Sequence, residues 1–489
     1  MAERILFLTG HLAEPRLRRV LEGMGNTPFA WEIADIGVKV AALMTEAIIR
    51  RRLPPPLAAD RVVLPGRAGV DVARLSAEYG VTFEHGPDEV ADLPRHFGIG
   101  ARRADLSRHD IRIFAEIVEA SRLSPDALLA RARAHRADGA DVIDLGCQPG
   151  QSWPGLEDAV RLLKAEGMAV SVDSGDADEL RRAALAGADH VLSLTEATLD
   201  AVDGTACVPV LIPASQGDLD SLVRAAERCG AAGRACLLDP ILDTIHFGFT
   251  ASILRYAALR ARLPDAAMLM GTGNLTELTD ADSSGVTALL LGICSELAIR
   301  NVLIVQVSPH TRRTVAEHDR ARRILYAARE DAALPRLYDE GLLQIHDRRP
   351  WTTTAEEVAR DAAATRDGNF RIVATEDGIH VYNARMHRVG DDAFAFYPAL
   401  DVAQDGAHAF YLGAELARAE IAWRLGKRYV QDEPLDFGVA APRPAGARTR
   451  LADAGHTLRG RQPEGRQPEG RQPEERNPEG TGPADADDT

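Results

Sequence analysis

The chain has 489 residues and a formal net charge of −16, and this length suits two to four domains. Its 45% hydrophobic and 27% charged residues are typical of a globular protein. An acidic chain is poorly matched to the phosphates of nucleic acids or of anionic membranes. No apolar run approaches the roughly 20 residues that a membrane span needs. We therefore expect neither a nucleic-acid nor a membrane partner.

The five cysteines are scattered and form no C-x-x-C pair, which argues against a zinc ribbon and against a disulfide framework. This usage favours a reducing, cytoplasmic compartment. The apolar stretch at residues 5–8 is too short for a signal peptide and predicts a first β-strand instead.

Residues 1–98 alternate apolar runs with helical patterns, which predicts a small β/α domain. The predicted strands cover residues 5–8, 29–33 and 61–64. The predicted helices cover residues 16–24 and 38–51.

Residues 105–330 repeat a strand–helix unit eight times, which favours a (β/α)8 TIM barrel; a doubly wound open sheet is the alternative. The apolar runs that predict strands cover residues 113–118, 141–145, 169–173, 190–194, 208–212, 235–239, 267–270 and 302–307. The predicted helices cover residues 124–136, 156–166, 177–186, 218–229, 249–261, 285–298 and 312–328. Because the strands are apolar throughout, we expect a parallel sheet covered on both faces.

Residues 331–440 change in character and predict a small α+β domain. Two strands, at 370–374 and 378–382, flank the hairpin signal Glu376-Asp377-Gly378, and a helix covers 407–425. Residues 441–489 contain three Gly-Arg-Gln-Pro-Glu repeats and too few apolar residues to bury, which predicts a disordered tail.

Polar side chains follow the predicted barrel strands at the points where the strands end. They are Asp144 and Gln148 in the second unit, Asp173 in the third, Ser193 in the fourth, Asp239 in the sixth, Asn274 in the seventh and Gln306 in the eighth. Since TIM-barrel sites are built at the carboxyl ends of the strands, we expect these side chains to converge on the barrel mouth.

Two carboxylates and an amide, from Asp173, Asp239 and Asn274, are suited to a nitrogen heterocycle with an amidine-like edge. A carboxylate accepts two parallel N–H bonds from such an edge, and an amide both donates and accepts. A pterin has this edge in its 2-amino group and its N3–H.

Three strings resemble the pterin-binding barrel of dihydropteroate synthase in order and spacing: Gly-Ala-Asp-Val-Ile-Asp-Leu-Gly at 139–146, Val-Ser-Val-Asp-Ser at 170–174 and Leu-Leu-Asp-Pro at 237–240. Gly-Thr-Gly-Asn-Leu-Thr at 271–276 is similar to the strand-7 motif of the related pterin methyltransferases. The three-part layout is similar to dihydropteroate-synthase-related proteins of archaea and methylotrophic bacteria. The resemblance implies a pterin-binding TIM barrel with an N-terminal β/α domain and a small C-terminal α+β domain.

The resemblance also implies roles for individual residues. It places Asp173 and Asp239 against the pterin and matches Asn274 to the methyltransferase asparagine. Asp173 and Asn274 are the candidate catalytic residues. The full set of candidate substrate-binding residues is Asp144, Asp173, Ser193, Asp239, Asn274 and Gln306.

The chain departs from the synthase pattern at four positions. Ser193 stands where both families have an asparagine, and Asn274-Leu275 replaces the strand-7 lysine. The strand-8 arginine is replaced near Gln306, and the strand-1 asparagine is not evident within residues 113–119. Pterin binding is therefore better supported than ordinary folate synthesis.

Three hypotheses follow. In the first, the protein joins a hydroxymethyl-dihydropterin diphosphate to an arylamine in tetrahydromethanopterin-type synthesis, with Mg²⁺ neutralising the leaving diphosphate and Arg312 and Arg313 as candidate phosphate contacts. In the second, it passes a methyl group from a pterin to a separate corrinoid protein. In the third, it is a non-catalytic pterin-binding subunit. We expect a homodimer and assign no metal ligands from the sequence.

Each site residue also has an ordinary structural alternative. Asp173 is close enough to the next predicted helix to cap it, although Ser174 and Asp176 are better placed to do so. Asp239 precedes a proline and suits a turn, and Asn274 suits a loop amide bonded to its own backbone.

Overall fold

A computed structural model describes residues 2–39, 41–88, 90–99 and 105–442 of the chain. The predicted tail at 441–489 therefore lies outside the described residues from 443 onward. The described part contains three separate sheets, of four, eight and three strands. None of its helices combines the length and the hydropathy that a membrane crossing requires.

The first sheet is parallel, with the order β2-β1-β3-β4. Its strands are β1 (Glu3–Thr9), β2 (Phe29–Asp35), β3 (Arg61–Leu64) and β4 (Thr82–His85), and its helices are α1 (Glu14–Gly23), α2 (Glu46–Arg52), α3 (Val72–Tyr79) and α4 (Leu93–His96). The single helix predicted at 38–51 is wrong, because α2 begins only at Glu46. The Thr45 side chain caps it by accepting from the backbone N–H of Ile48, at 3.4 Å.

The second sheet is the barrel. Its strands are β5 (Arg112–Ile117), β6 (Val142–Gly146), β7 (Ala169–Asp173), β8 (His190–Leu194), β9 (Val208–Leu211), β10 (Leu237–Leu238), β11 (Leu269–Gly271) and β12 (Asn301–Ile304). All neighbours pair in parallel, in the order β10-β9-β8-β7-β6-β5-β12-β11. A parallel bridge between Leu238 and Met268 joins the two ends. The predicted TIM barrel is confirmed, and the open-sheet alternative is wrong.

Helices surround the barrel in seven of the eight connections among the described residues. They are α5 (Pro125–Asp138), α6 (Leu156–Ala165), α7 (Ala177–Ala186), α8 (Leu219–Ala231), α9 (Phe249–Arg262), the short α10 (Gly273–Thr276) with α11 (Ser283–Glu296), and α12 (Thr314–Glu330). The connection from β8 to β9 carries only a 3-10 turn, Leu199–Val202. This segment is too short to hold a packed α-helix and two loops, and no helix was predicted there. The seven helices predicted for the barrel are all present.

An apolar plug fills the barrel below its mouth. β9 contributes two side chains to it and every other strand one; they are Phe114, Val142, Ala169, Leu192, Val208, Val210, Leu237, Leu269 and Leu303. Because side chains alternate along a strand, residues two or four positions after these also face inward, at the carboxyl end. The apolar plug thus forms the floor of the mouth, and the polar side chains of the mouth lie next to it on the carboxyl side.

The third sheet is antiparallel, with β13 (Arg371–Thr375), β14 (Gly378–Tyr382) and β15 (His387–Gly390). Its helices are α13 (Ala355–Ala364), α14 (Ala393–Leu400) and α15 (Gly406–Leu425). α14 and α15 pack against the sheet through a separate apolar cluster that contains Phe396, Leu412 and Leu416. The predicted hairpin and long helix are present, whereas β15, α13 and α14 were not predicted.

Candidate active site at the mouth of the barrel

Alternation from the apolar plug brings three carboxylates to the mouth. Glu116 lies two residues after Phe114 on β5, and Asp144 lies two residues after Val142 on β6. These two carboxylates are neighbours in the sheet register. Asp173, at the end of β7, pairs with Gly146, so it lies two residues further toward the carboxyl ends of the strands than Asp144 does.

The three side chains form a tight cluster. One carboxylate oxygen from each of Glu116, Asp144 and Asp173 lies within 4.8 Å of the other two. Asp144 is fully buried, and its Oδ1 accepts a 2.5 Å bond from the Ser171 hydroxyl. Its Oδ2 is also buried and has no hydrogen-bond partner among the residues that the structure describes.

Gly146 makes room for this arrangement. A Cβ atom at that position would lie 2.4 Å from Oε1 of Glu116, well inside any real contact. The glycine therefore lets the Glu116 carboxylate lie over β6 and reach the other two acids.

Burial and mutual repulsion raise the pKa values of these carboxyls. Burial, followed by the charge of Asp173, raises the pKa of Glu116 to about 7. Burial and the charge of Asp239 raise the pKa of Asp173 to about 6. The pKa of Asp144 lies well above its ordinary value, because the carboxyl is desolvated and faces two other acids. In the absence of a positive ligand, the cluster holds protons that exposed acids would release.

Asp239 is a fourth acid of the mouth and is held by its own partners. Its Oδ1 accepts from the Tyr256 hydroxyl at 2.6 Å and from the backbone N–H of Ile241 at 2.8 Å. Both donors use the same oxygen, which leaves Oδ2 for a ligand. Burial raises the pKa of Asp239 to about 6, although the Tyr256 bond opposes this shift.

Asn274 and Ser193 lie at the same end of the barrel. Asn274 is exposed on α10, and its Nδ2 donates to the backbone carbonyl of Leu242 at 2.8 Å, in the loop that follows Asp239.

β8 has a register irregularity between Val191 and Leu194, and both of these residues pack outside the barrel. The intervening Leu192 and Ser193 therefore share the inner side, since a bulge re-aims one side chain.

Gln306 lies two residues beyond the end of β12 and contacts the start of α12. Its Oε1 accepts from the backbone N–H of Val315 at the start of α12, at 3.3 Å. The amide oxygen of this predicted substrate contact is thus already bonded within the protein.

The two predicted phosphate contacts, Arg312 and Arg313, differ in their surroundings. Arg313 is engaged by Asp138, at 3.0 Å, and by the backbone carbonyl of Val439. Arg312 is exposed, and Gln148 is half-buried in the loop after β6.

The N-cap of α7 is Asp176, which accepts from the backbone N–H of Asp178, so Asp173 does not serve as this cap.

Sequence reasoning missed Glu116, Gly146 and Tyr256. Glu116 lay inside a predicted strand, and alternation from Phe114 was the signal that would have placed it at the mouth. Tyr256 is on α9, and its bond to Asp239 depends on how that helix packs, which local sequence does not reveal.

Comparisons with known sequences add two likenesses. Residues 3–88, which contain the first sheet, match a family of unknown function, DUF6513. An uncharacterized protein of Methanocaldococcus jannaschii is 28% identical over 367 residues, which cover 66% of this chain and 69% of that protein.

Solved dihydropteroate synthases are similar to the chain at low identity. A Yersinia pestis DHPS with a pterine-sulfa conjugate is 20% identical, covering 46% of this chain and 96% of its own, with a TM-score of 0.36. A Burkholderia cenocepacia enzyme complexed with 7,8-dihydropteroate is also 20% identical, covering 46% and 93%, with a TM-score of 0.36. A Thermus thermophilus enzyme in complex with 6HMPPP is 19% identical, covering 47% and 96%, with a TM-score of 0.35. The assignment of the barrel rests on its own strand order and closing bridge.

Proposed function

We propose that the protein is a pterin-binding transferase that joins a hydroxymethyl-dihydropterin diphosphate to an arylamine, as a step of tetrahydromethanopterin-type cofactor synthesis. The observation that carries the proposal is the pair Asp173 and Asp239. Both carboxylates stand at the mouth, close enough for the charge of one to raise the pKa of the other. The resemblance of the strings around them to dihydropteroate synthase supplies the reaction type.

Asp239 is the better defined of the two pterin contacts. Tyr256 and the backbone N–H of Ile241 fix its Oδ1, so Oδ2 is oriented before a ligand arrives. A fixed acceptor costs less ordering entropy on binding than a mobile one. The 2-amino group and N3–H of a pterin would donate to such an oxygen, and Asp173 would accept from the opposite edge.

The reaction needs little covalent chemistry from the protein. The arylamine nitrogen forms a bond to the pterin methylene carbon, the bond from that carbon to the diphosphate oxygen breaks, and the amine proton passes to solvent. The carboxylates and the Asn274 amide would hold the ring so that the methylene carbon faces the incoming amine. Holding the two reactants in position is itself a large part of such catalysis.

Product formation is the direct test. The full chain is incubated with Mg²⁺, hydroxymethyl-dihydropterin diphosphate and a set of arylamines, and a new pterin conjugate and pyrophosphate are followed by mass spectrometry. We expect one arylamine class to give both products in equal amounts. Pyrophosphate without a conjugate, or neither product with any arylamine, contradicts the proposed reaction.

Binding of the pterin is tested separately by calorimetry with 6-hydroxymethyl-dihydropterin. Asp173→Asn and Asp239→Asn should each weaken binding by about 1–3 kcal/mol, because a charge-assisted hydrogen bond is lost. Asp265→Asn is the matched control, since this exposed aspartate precedes β11 at the opposite end of the barrel. Equal affinities for all three variants and the wild type would remove both acids from the site.

A second candidate is methyl transfer from a methylpterin to a corrinoid protein, and the position of Asn274 favours it. Its amide is anchored through Nδ2 to the Leu242 carbonyl, so the rest of the side chain is held at the mouth. An amide in this position would hydrogen-bond a ring nitrogen that carries a methyl group. Demethylation of methyltetrahydropterin by a corrinoid acceptor, without pyrophosphate release from any arylamine pair, would favour this candidate over the first.

A further inference from the structure

We infer that Glu116, Asp144 and Asp173 bind a divalent cation of the Mg²⁺ or Mn²⁺ type at the floor of the barrel mouth. The inference goes beyond the proposed function, because it concerns a site that is complete without any pterin. Three carboxylates converge at this point, and one of their oxygen atoms is buried without a hydrogen-bond partner among the described residues.

The first observation is the distance between the acids. Their three nearest oxygens lie within 4.8 Å of one another, on three adjacent strands of a closed barrel. Around Mg²⁺ or Mn²⁺, with bonds of about 2.0–2.2 Å, neighbouring oxygens are about 3 Å apart and opposite ones about 4.0–4.4 Å. The three oxygens would therefore move toward one another by up to about 2 Å to close on a cation.

The second observation is Oδ2 of Asp144. This side chain is fully buried, and while Oδ1 is satisfied by Ser171, no donor in the described part of the chain reaches Oδ2. Buried polar atoms are almost always paired, and an ionised oxygen left without a partner is strongly unfavourable. A cation between the acids would supply the interaction that this oxygen lacks.

The third observation is the space that Gly146 provides. Any side chain at this position would collide with Glu116, because the Cβ atom would be 2.4 Å from Oε1. The glycine thus leaves room for the Glu116 carboxylate beside Asp144.

The donor chemistry selects the class of metal. All three donors are carboxylate oxygens, which suit hard cations better than Zn²⁺ or copper. Three protein oxygens would also leave coordination positions open toward the mouth, where water or a ligand oxygen can bind. Asp173 has two oxygens, so one can serve the cation while the other accepts a ligand N–H.

Mn²⁺ is the probe, since loss of its free electron paramagnetic resonance signal reports binding directly. The purified full-length chain, stripped with EDTA and exchanged into chelator-free buffer, is titrated with Mn²⁺ without pterin, and Mg²⁺ is then added as competitor. We expect about one Mn²⁺ per chain, displaced by Mg²⁺. Asp144→Asn and Glu116→Gln should weaken Mn²⁺ binding by at least about tenfold. The double variant Asp280→Asn/Asp282→Asn is the control, because it removes two exposed acids from the loop after α10.

A glycine pair tests the geometry without changing the number of acids. Gly146→Ala should displace Glu116 and weaken Mn²⁺ binding by at least about tenfold. Gly271→Ala is the matched control, since a Cβ atom at this strand-end glycine meets nothing within 4 Å. Circular dichroism of each variant establishes that the fold is retained.

Two results would overturn the inference. One is the absence of Mn²⁺ binding to the wild type at millimolar metal, and the other is unchanged affinity in folded Asp144→Asn. Pterin calorimetry in EDTA is independent of these measurements. A protein that binds Mn²⁺ but no pterin would contradict the proposed function alone, and a protein that binds pterin but no Mn²⁺ would contradict this inference alone.

Discussion

Replacing Asp144 with asparagine should stabilise the metal-free protein, although it removes a residue of the candidate site. Asp144 is fully buried, its Oδ2 has no donor within the described ranges, and Glu116 and Asp173 face it within 4.8 Å. An asparagine has nearly the same shape and still accepts from Ser171. Its amide nitrogen would donate to one of the two remaining acids, so a repulsive contact becomes a hydrogen bond.

The change in the free energy of unfolding that this substitution causes depends on pH. Its sign follows from the raised pKa values of the three carboxyls. Each of these carboxyls keeps its proton to a higher pH in the folded protein than in the unfolded chain. Between about pH 4 and pH 7 the unfolded chain therefore binds fewer protons, and the free energy of unfolding falls as pH rises. A buried polar group left without a partner costs about 1–3 kcal/mol, so removing the Asp144 charge should raise the free energy of unfolding by about 2 kcal/mol at pH 8. The gain should be under about 1 kcal/mol near pH 4.5.

Thermal unfolding in EDTA at pH 4.5 and pH 8 measures this difference. We expect the unfolding midpoint of Asp144→Asn to exceed that of the wild type by about 5 °C at pH 8, and by little at pH 4.5. Asp265→Asn, an exposed acid outside the cluster, should leave both midpoints unchanged. A variant that is less stable than the wild type at pH 8 would refute the reasoning, because it would mean that the Asp144 charge is satisfied in the folded protein.

Two further substitutions separate the roles of the mouth residues. Tyr256→Phe removes the 2.6 Å bond to Asp239 and should weaken pterin binding by about 1–2 kcal/mol in calorimetry. Tyr338→Phe, which removes an exposed tyrosine–aspartate bond, is its control and should have no effect. Asn274→Ala should weaken pterin binding and should have a smaller effect on the turnover of bound diphosphate substrate, because charge develops on the leaving group. A selective loss of methyl transfer in steady-state kinetics would contradict this expectation and favour the methyltransferase.

The local sequence determined most of the barrel. Short apolar runs placed all eight strands, because a strand buried on both faces has to be apolar along its length. The boundaries of β7 and β8 agree with the prediction, and the helix after β7 does as well. Asp173 and Asp239 were also identified from the sequence, since each directly follows an apolar run and the carboxyl ends of parallel strands share one end of a barrel.

Tertiary structure decided which polar residues meet. Gln306 and Glu116 both lie near strand ends, yet Gln306 accepts a bond from the backbone of α12 and Glu116 joins the acids of the mouth. The close approach of Glu116, Asp144 and Asp173 exists only when the barrel closes and sets β5, β6 and β7 side by side. The unpaired oxygen of Asp144 is likewise a property of packing, since a sequence lists donors and acceptors but only their three-dimensional arrangement determines which of them can form a pair.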